Sequence, residues 1–171
     1  EHSKLSNNFH NLNKYNLKEI SEYGFEKNIS EVLNFDVSKK IIEEYEKKRN
    51  FPSLNSTSKI GPFLRFGVIS IRSLVKYVLK FDNDTFLNEL IWREFFMQIL
   101  FHFPNSSTNS FKSKYDNIKW VNDKKMFEAW KNGKTGFPIV DAGMNELNKT
   151  GFMHNRVRMI TSSFLCKQLL I

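Results

Sequence analysis

The chain has 171 residues, 40% of them hydrophobic, which is enough for one buried core and argues against a second full domain. Its formal net charge of +8 points to polyanions such as nucleic acid or an anionic surface, the plain alternative being a solvated positive face. Four histidines without metal-ligand spacing, a single cysteine and no apolar run of bilayer length argue against a metal centre, an internal disulfide and a membrane role; with no signal-peptide pattern, a reducing, cytoplasmic setting is expected.

The 17 phenylalanines stand against only 7 glycines and 4 prolines, and no alternating Val/Ile/Thr runs suggest a sheet. An all-α fold is predicted. Residues 1–28, rich in Asn, Ser and Lys, read as a linker or arm, and 29–171 as a helical domain. From Ile29 to Arg49 the positions Val32, Leu33, Val37, Ile41, Ile42 and Tyr45 keep helical spacing, with a break between Asn34 and Ser38. The basic close at Lys47, Lys48 and Arg49 suits the helix dipole. A polar loop, Ser53–Ser58, leads to a short apolar segment, Ile60–Phe66, that Gly67 can end. Ser70 opens a helix to about Phe81, and Asp82-Asn-Asp-Thr85 caps the longest one, to about Phe101. After Pro104 comes an ordered polar loop, Asn105–Asn122. Asp123 then caps a helix stopped by Asn132-Gly133, and Pro138 starts another that Gly151 ends. The last helix carries Val157, Ile160, Phe164 and Leu165 on a core face, with Cys166 inside it.

Three groups of residues carry chemistry. At the start of the last helix, His154, Asn155, Arg156 and Arg158 crowd polar groups where free N–H donors favour an anion, with the two arginines projecting to different sides. On the long helix, Glu89, Trp92, Arg93 and Phe96 share one arc, opposite a core arc of Leu87, Leu90, Ile91 and Phe95. A half-buried Trp92 beside a Glu89–Arg93 salt bridge is the plain alternative there. Thr57-Ser-Lys59 offers hydroxyls, N–H groups and an ammonium to a diphosphate, or is an ordinary helix cap; Tyr45 and Arg49 could flank the same ligand.

Five motifs in order, Tyr45-Glu-Lys-Lys-Arg-Asn-Phe-Pro52, Thr57–Gly67, Asn88-Glu-Leu-Ile-Trp-Arg-Glu-Phe-Phe96, Thr135-Gly-Phe-Pro-Ile-Val-Asp-Ala142 and Thr150-Gly-Phe-Met-His-Asn-Arg-Val-Arg-Met159, resemble the FAD-binding helical domain of DNA photolyases and cryptochromes. The resemblance covers Tyr45 to Ile171 and is loose before it. It implies a helical bundle holding FAD beneath a cavity for a flipped-out pyrimidine dimer. Light-driven repair of cyclobutane dimers by a deoxyribodipyrimidine photo-lyase is the implied activity, and a cryptochrome-type blue-light photoreceptor the alternative. By the same resemblance, Tyr45, Thr57, Ser58, Lys59, Ile60, Gly61, Phe86, Asn155 and Arg158 hold the flavin. Glu89 bonds the dimer, Asn155 faces the reactive edge of the flavin, and Trp120 is the outer member of an electron-transfer chain or a loop tryptophan pinned to the core. Arg49, Glu89, Trp92, Arg93, Phe96, Arg156 and Met159 meet damaged DNA, single- or double-stranded. Met153-His-Asn-Arg156 is closer to cyclobutane-dimer photolyases than to (6-4) enzymes, and plant cryptochromes usually carry an acid at Asn155.

The chain departs from that pattern at Phe86 and Phe152, where tryptophan is common, and at Lys59, where arginine is usual. Photolyases also continue beyond the Leu169–Ile171 position with an Asp-Trp pair and an acidic segment that completes the flavin site, and carry an α/β antenna domain before it. A truncated, monomer-derived fragment is therefore expected, with an incomplete FAD site, an unknown antenna chromophore and no activity of its own.

Overall fold

A computed structural model describes residues 18–26 and 33–171. The chain divides into two units, Glu1–Glu31 and Val32–Ile171. In the first, the described residues form one 3-10 turn, Ile20–Tyr23, closed by Gly24 in the left-handed region at φ 81°. Most of the expected arm, and Ile29–Val32 of the first expected helix, lie outside the described residues.

The second unit is helical, with no strand among the described residues. Its helices are α1 (Lys39–Lys48), α2 (Gly61–Arg65), α3 (Ile71–Val78), α4 (Asp84–His102), α5 (Lys124–Lys131), α6 (Pro138–Thr150) and α7 (Asn155–Ser163). Residues 33–38 are not helical, so α1 starts after the break that the sequence suggests. Local signals set most of the other ends. The Asn83 side chain accepts the Phe86 N–H at 3.1 Å and donates to the Ile42 carbonyl at 2.5 Å, so one buried amide both starts α4 and fastens it to α1. The Asp123 carboxylate caps α5 through the N–H groups of Lys125 and Met126 at 2.7 and 2.9 Å. Pro138 opens α6 and Gly151, at φ 70°, closes it. Helix α3 stops at Val78, short of Phe81, and the polar loop holds two 3-10 turns, Pro104–Ser107 and Ser113–Tyr115.

Two apolar clusters hold this unit together. Ile42, Ile60, Leu64, Leu74, Val78, Phe86 and Leu90 join α1, α2, α3 and α4. Val140, Met144, Met153 and Val157 join α6 to α7, with Trp130 and Phe164 packed against them. Trp130 also donates its indole N–H to the Thr161 carbonyl at 3.0 Å. The expected core arc of α4 is corrected: Leu90 is buried and Leu87 partly so, but Ile91 and Phe95 are exposed and Phe86 takes the inward position. Ile160 on α7 is exposed as well, and Cys166 lies exposed in a π-turn, Phe164–Gln168, that follows α7.

Candidate functional site

The end of α1 presents Tyr45 and Arg49, one helical turn apart, beside the middle of α4. Arg49 forms an ion pair with Glu89, so the carboxylate is held by a helix 40 residues away and not by Arg93 on its own helix. The arginine also lies 5.6 Å over the Tyr45 ring, and that ring meets Phe86 edge-on at 5.1 Å. Burial is the main cause that pushes the Tyr45 hydroxyl's pKa above its ordinary value, reinforced by Glu89 and opposed by Arg49 and Arg156. Tyr45 is therefore a neutral hydroxyl around pH 7.

The second apolar cluster delivers α7 to the same place. Tyr45, Arg49, Thr57, Glu89, His154, Asn155 and Arg156 line one small recess of about 30 Å³. Arg156 ties the joint from the side, donating its Nε–H to Asn50 Oδ1 at 2.7 Å while a terminal nitrogen approaches Met159 Sδ at 3.5 Å. A larger cleft of about 430 Å³ opens between α2 and α4, lined by Ile60, Gly61, Leu64, Arg65, Glu89, Leu90, Arg93 and Met97. Glu89 belongs to both. Its walls are mainly apolar, with the Arg65 and Arg93 guanidinium groups set against the single carboxylate of Glu89.

The remaining expected residues sit around these two features. Trp92 stacks on Phe96 with centroids 5.9 Å apart and meets Phe95 edge-on, forming an exposed aromatic surface in which Trp92 is 51% accessible. Ser58 gives its carbonyl to the Asp36 N–H at 2.9 Å. Lys59, in the left-handed region at φ 53°, carries its ammonium 5.5 Å over the Phe152 ring. Asn155 shares the recess with Arg156, while Arg158 is exposed and does not line it. Trp120 lies 45% exposed in the loop before α5, apart from both features. The Thr135–Ala142 motif is structural: the Asp141 carboxylate accepts the Thr135 N–H at 2.7 Å, its hydroxyl at 2.6 Å and the Gly136 N–H at 2.9 Å. The Thr135 hydroxyl bond, foremost, lowers the Asp141 pKa.

Residues 86–171 match the family model of the FAD binding domain of DNA photolyase, half of the chain. The chain belongs to the DNA photolyase family. It is 43% identical to a deoxyribodipyrimidine photo-lyase of Buchnera aphidicola over 94% of its own length and 35% of that protein's. A class III photolyase from Agrobacterium tumefaciens superposes with a TM-score of 0.72 at 42% identity, over 77% of this chain and 29% of that one. A Synechocystis cryptochrome gives 0.68 at 37% identity, over 76% and 29%. The chain thus spans about a third of the length of the relatives it matches.

Within this photolyase-family fold, two contributors escaped the sequence reading: Asn50 holds Arg156, and Arg65 shares the cleft with Arg93. His154, which the sequence placed among the polar groups at the start of the last helix, is buried. The signal for His154 was its position immediately before a helix start, where an imidazole nitrogen can cap. Asn50 and Arg65 carry no comparable local signal. Among the described residues no cluster of His, Cys, Asp or Glu could hold a metal ion, and no helix is long and apolar enough to cross a membrane.

Proposed function

We propose that this chain forms part of the flavin- and lesion-binding surface of a light-driven deoxyribodipyrimidine photo-lyase that splits cyclobutane pyrimidine dimers in DNA. The observation that carries this reading is the convergence of Tyr45, Arg49, Glu89, Asn155 and Arg156 on one recess, beside an apolar cleft that Arg65 and Arg93 also line.

The donor set fits FAD. Gly61, Ile60 and the guanidinium groups of Arg65 and Arg93 offer an apolar wall and positive charge to a diphosphate, and Thr57, Ser58 and Lys59 precede them in the chain. Phe86, packed on Tyr45, contributes apolar bulk, and Asn155 and Arg158 are the candidate partners of the isoalloxazine. When bound and reduced, the flavin supplies the photoexcited electron that opens the dimer. The protein's own part is positioning. Arg49 orients the Glu89 carboxylate, which can hydrogen-bond a pyrimidine edge. The Tyr45 hydroxyl, kept protonated by burial, is available as a donor at the recess. Trp92 and Phe96 form a ring surface on which an unstacked base can rest, as photolyases are known to take their target base out of the stack. Arg49, Arg93, Arg156 and the basic surface neutralise DNA phosphates in double or single strands, and Met159 beside Arg156 adds a soft apolar contact. Trp120, exposed before α5, is the candidate outer electron carrier. The whole protein acts as a monomer, in the cytoplasm, with 1–28 as the arm from an antenna domain.

The competing reading is a cryptochrome-type photoreceptor, which the Synechocystis relative keeps open. Asn155, Glu89 and Trp92 together favour repair. The test is dimer repair by the intact protein in light and in darkness. Light-dependent repair supports the proposal; bound flavin without repair gives the photoreceptor, and colourless protein that still binds DNA gives a flavin-free binding module.

A further inference from the structure

His154 has no part in the repair chemistry proposed above, yet it is the one buried side chain among those lining the recess, 4% exposed. It stands at the N-cap of α7, where its Nδ1 accepts the Arg156 N–H at 3.2 Å. An imidazole nitrogen that accepts carries no proton, so the neutral ring bears its hydrogen on Nε2. That Nε2 has no hydrogen-bond partner among the described residues. Arg156 itself reaches the end of α1, giving its Nε–H to Asn50 Oδ1 at 2.7 Å, so the residue whose N–H His154 caps is also the one that ties α7 to that segment.

We propose that His154 is a positioning residue which, as the neutral Nε2–H tautomer, clasps the start of α7 through the Arg156 N–H and so fixes Asn155 and Arg156 in the recess they share with Arg49 and Glu89. Protonation fills Nδ1, removes the acceptor for the Arg156 N–H and opens the clasp. The charged and titratable groups around the ring are Glu146 on α6, Arg156 on α7, Arg49 and Tyr45 on α1 and Glu89 on α4. Glu146 and the Arg49 carbonyl favour the imidazolium and Arg156 opposes it, but burial is the largest influence and lowers the pKa from its ordinary 6.5. The unfolded chain takes up the proton first as the pH falls. The clasp's contribution to stability is therefore complete above 6.5 and declines below it, toward the lowered folded value.

The clasp stands on geometry, and its consequence for lesion binding rests on the function proposed above. Nitrogen-15 NMR of the intact protein at about pH 7.5 should show His154 with an acceptor-type Nδ1 and a protonated Nε2. An Nδ1–H ring would overturn the proposal. His154→Asn keeps an uncharged cap acceptor, so the extra loss of thermal stability that wild type suffers between about pH 7 and pH 5.5 should vanish in that variant. His154→Ala should bind dimer-containing DNA in the dark roughly five-fold more weakly, with His154→Asn restoring most of that loss. Identical pH profiles for wild type and His154→Asn, or no rescue of binding by asparagine over alanine, would count against the clasp. If the protein binds no dimers at all, the proposed function fails, and the tautomer and the melting profile still decide the role of His154.

Discussion

Lys59 and Phe152 are two of the three residues at which the chain departs from the arginine and tryptophan expected of photolyases, and they meet each other, ammonium over ring at 5.5 Å. A guanidinium stacks on an indole through its plane, whereas an ammonium needs only a ring face, so the smaller pair can keep the contact. The contact is worth about 0.5–1 kcal/mol when exposed, against a left-handed backbone at Lys59 that costs roughly 1–2 kcal/mol. It therefore offsets only part of the strain, and the Asp36–Ser58 backbone bond next door supplies further support. Trp92 is a different case. Half exposed and outside both apolar clusters, it can be removed without opening the core. Trp92→Ala is expected to weaken binding of dimer-containing DNA by about 1–3 kcal/mol, the usual contribution of one base on one aromatic ring, with flavin content unchanged. Titration of labelled damaged DNA alongside the flavin absorbance checks this, and lost flavin with intact DNA affinity would put Trp92 on the cofactor side.

Among the elements, α4 explains why its inward face was misjudged. Apolar residues occur all around it, so periodicity alone offers two candidate core arcs and no polar face to choose between them. The choice falls to its neighbours: Asn83 fastens its first turn to the Ile42 carbonyl, which turns Phe86 and Leu90 inward and leaves Ile91, Phe95 and Trp92 outside. At the other end of the unit, α6 and α7 approach closely at Gly143. A Cβ there would overlap Val157 Cγ1 and lie 3.1 Å from Thr161 Cγ2. Gly143→Ala should accordingly lower stability by about 1–3 kcal/mol, since the two buried side chains it meets have no free space to yield. A melting temperature near wild type would show that α7 can shift. Because α7 carries His154, Asn155 and Arg156, the same variant is expected to disturb the recess before it unfolds the chain.

For the whole molecule, charge is the governing quantity. A net charge of +8 spread over lysines and arginines favours polyanions, and toward the proposed DNA partner it predicts attraction without sequence preference. If Arg93, Arg156 and two or three lysines each neutralise a phosphate, the logarithm of the binding constant should fall with the logarithm of salt concentration with a slope of about −3 to −5. Affinity measured on undamaged duplex across a salt series tests this, and a slope near zero would remove the basic surface from the interface. The site itself draws on elements from both apolar clusters of the larger unit, with Tyr45, Arg49, Thr57 and Glu89 contributed by α1, the loop after it and α4, and His154, Asn155 and Arg156 by the start of α7.

That site also separates what was legible in the sequence from what was not. The starts and stops at Ser70, Asn83, Asp123, Pro138 and Gly151 were readable, because a cap or a left-handed glycine acts within one turn of its own position. The residue types of the site were readable too, since five ordered motifs preserve them even where their roles are unstated. Which side chains face each other was not. Glu89 has an arginine four residues along its own helix and pairs instead with Arg49, and Arg156 reaches Asn50, 106 residues earlier. By itself the sequence determined the helices, most of their ends and the chemistry on offer; only tertiary structure decided the partners, because pairing between distant segments depends on how those segments pack, and no local spacing encodes that.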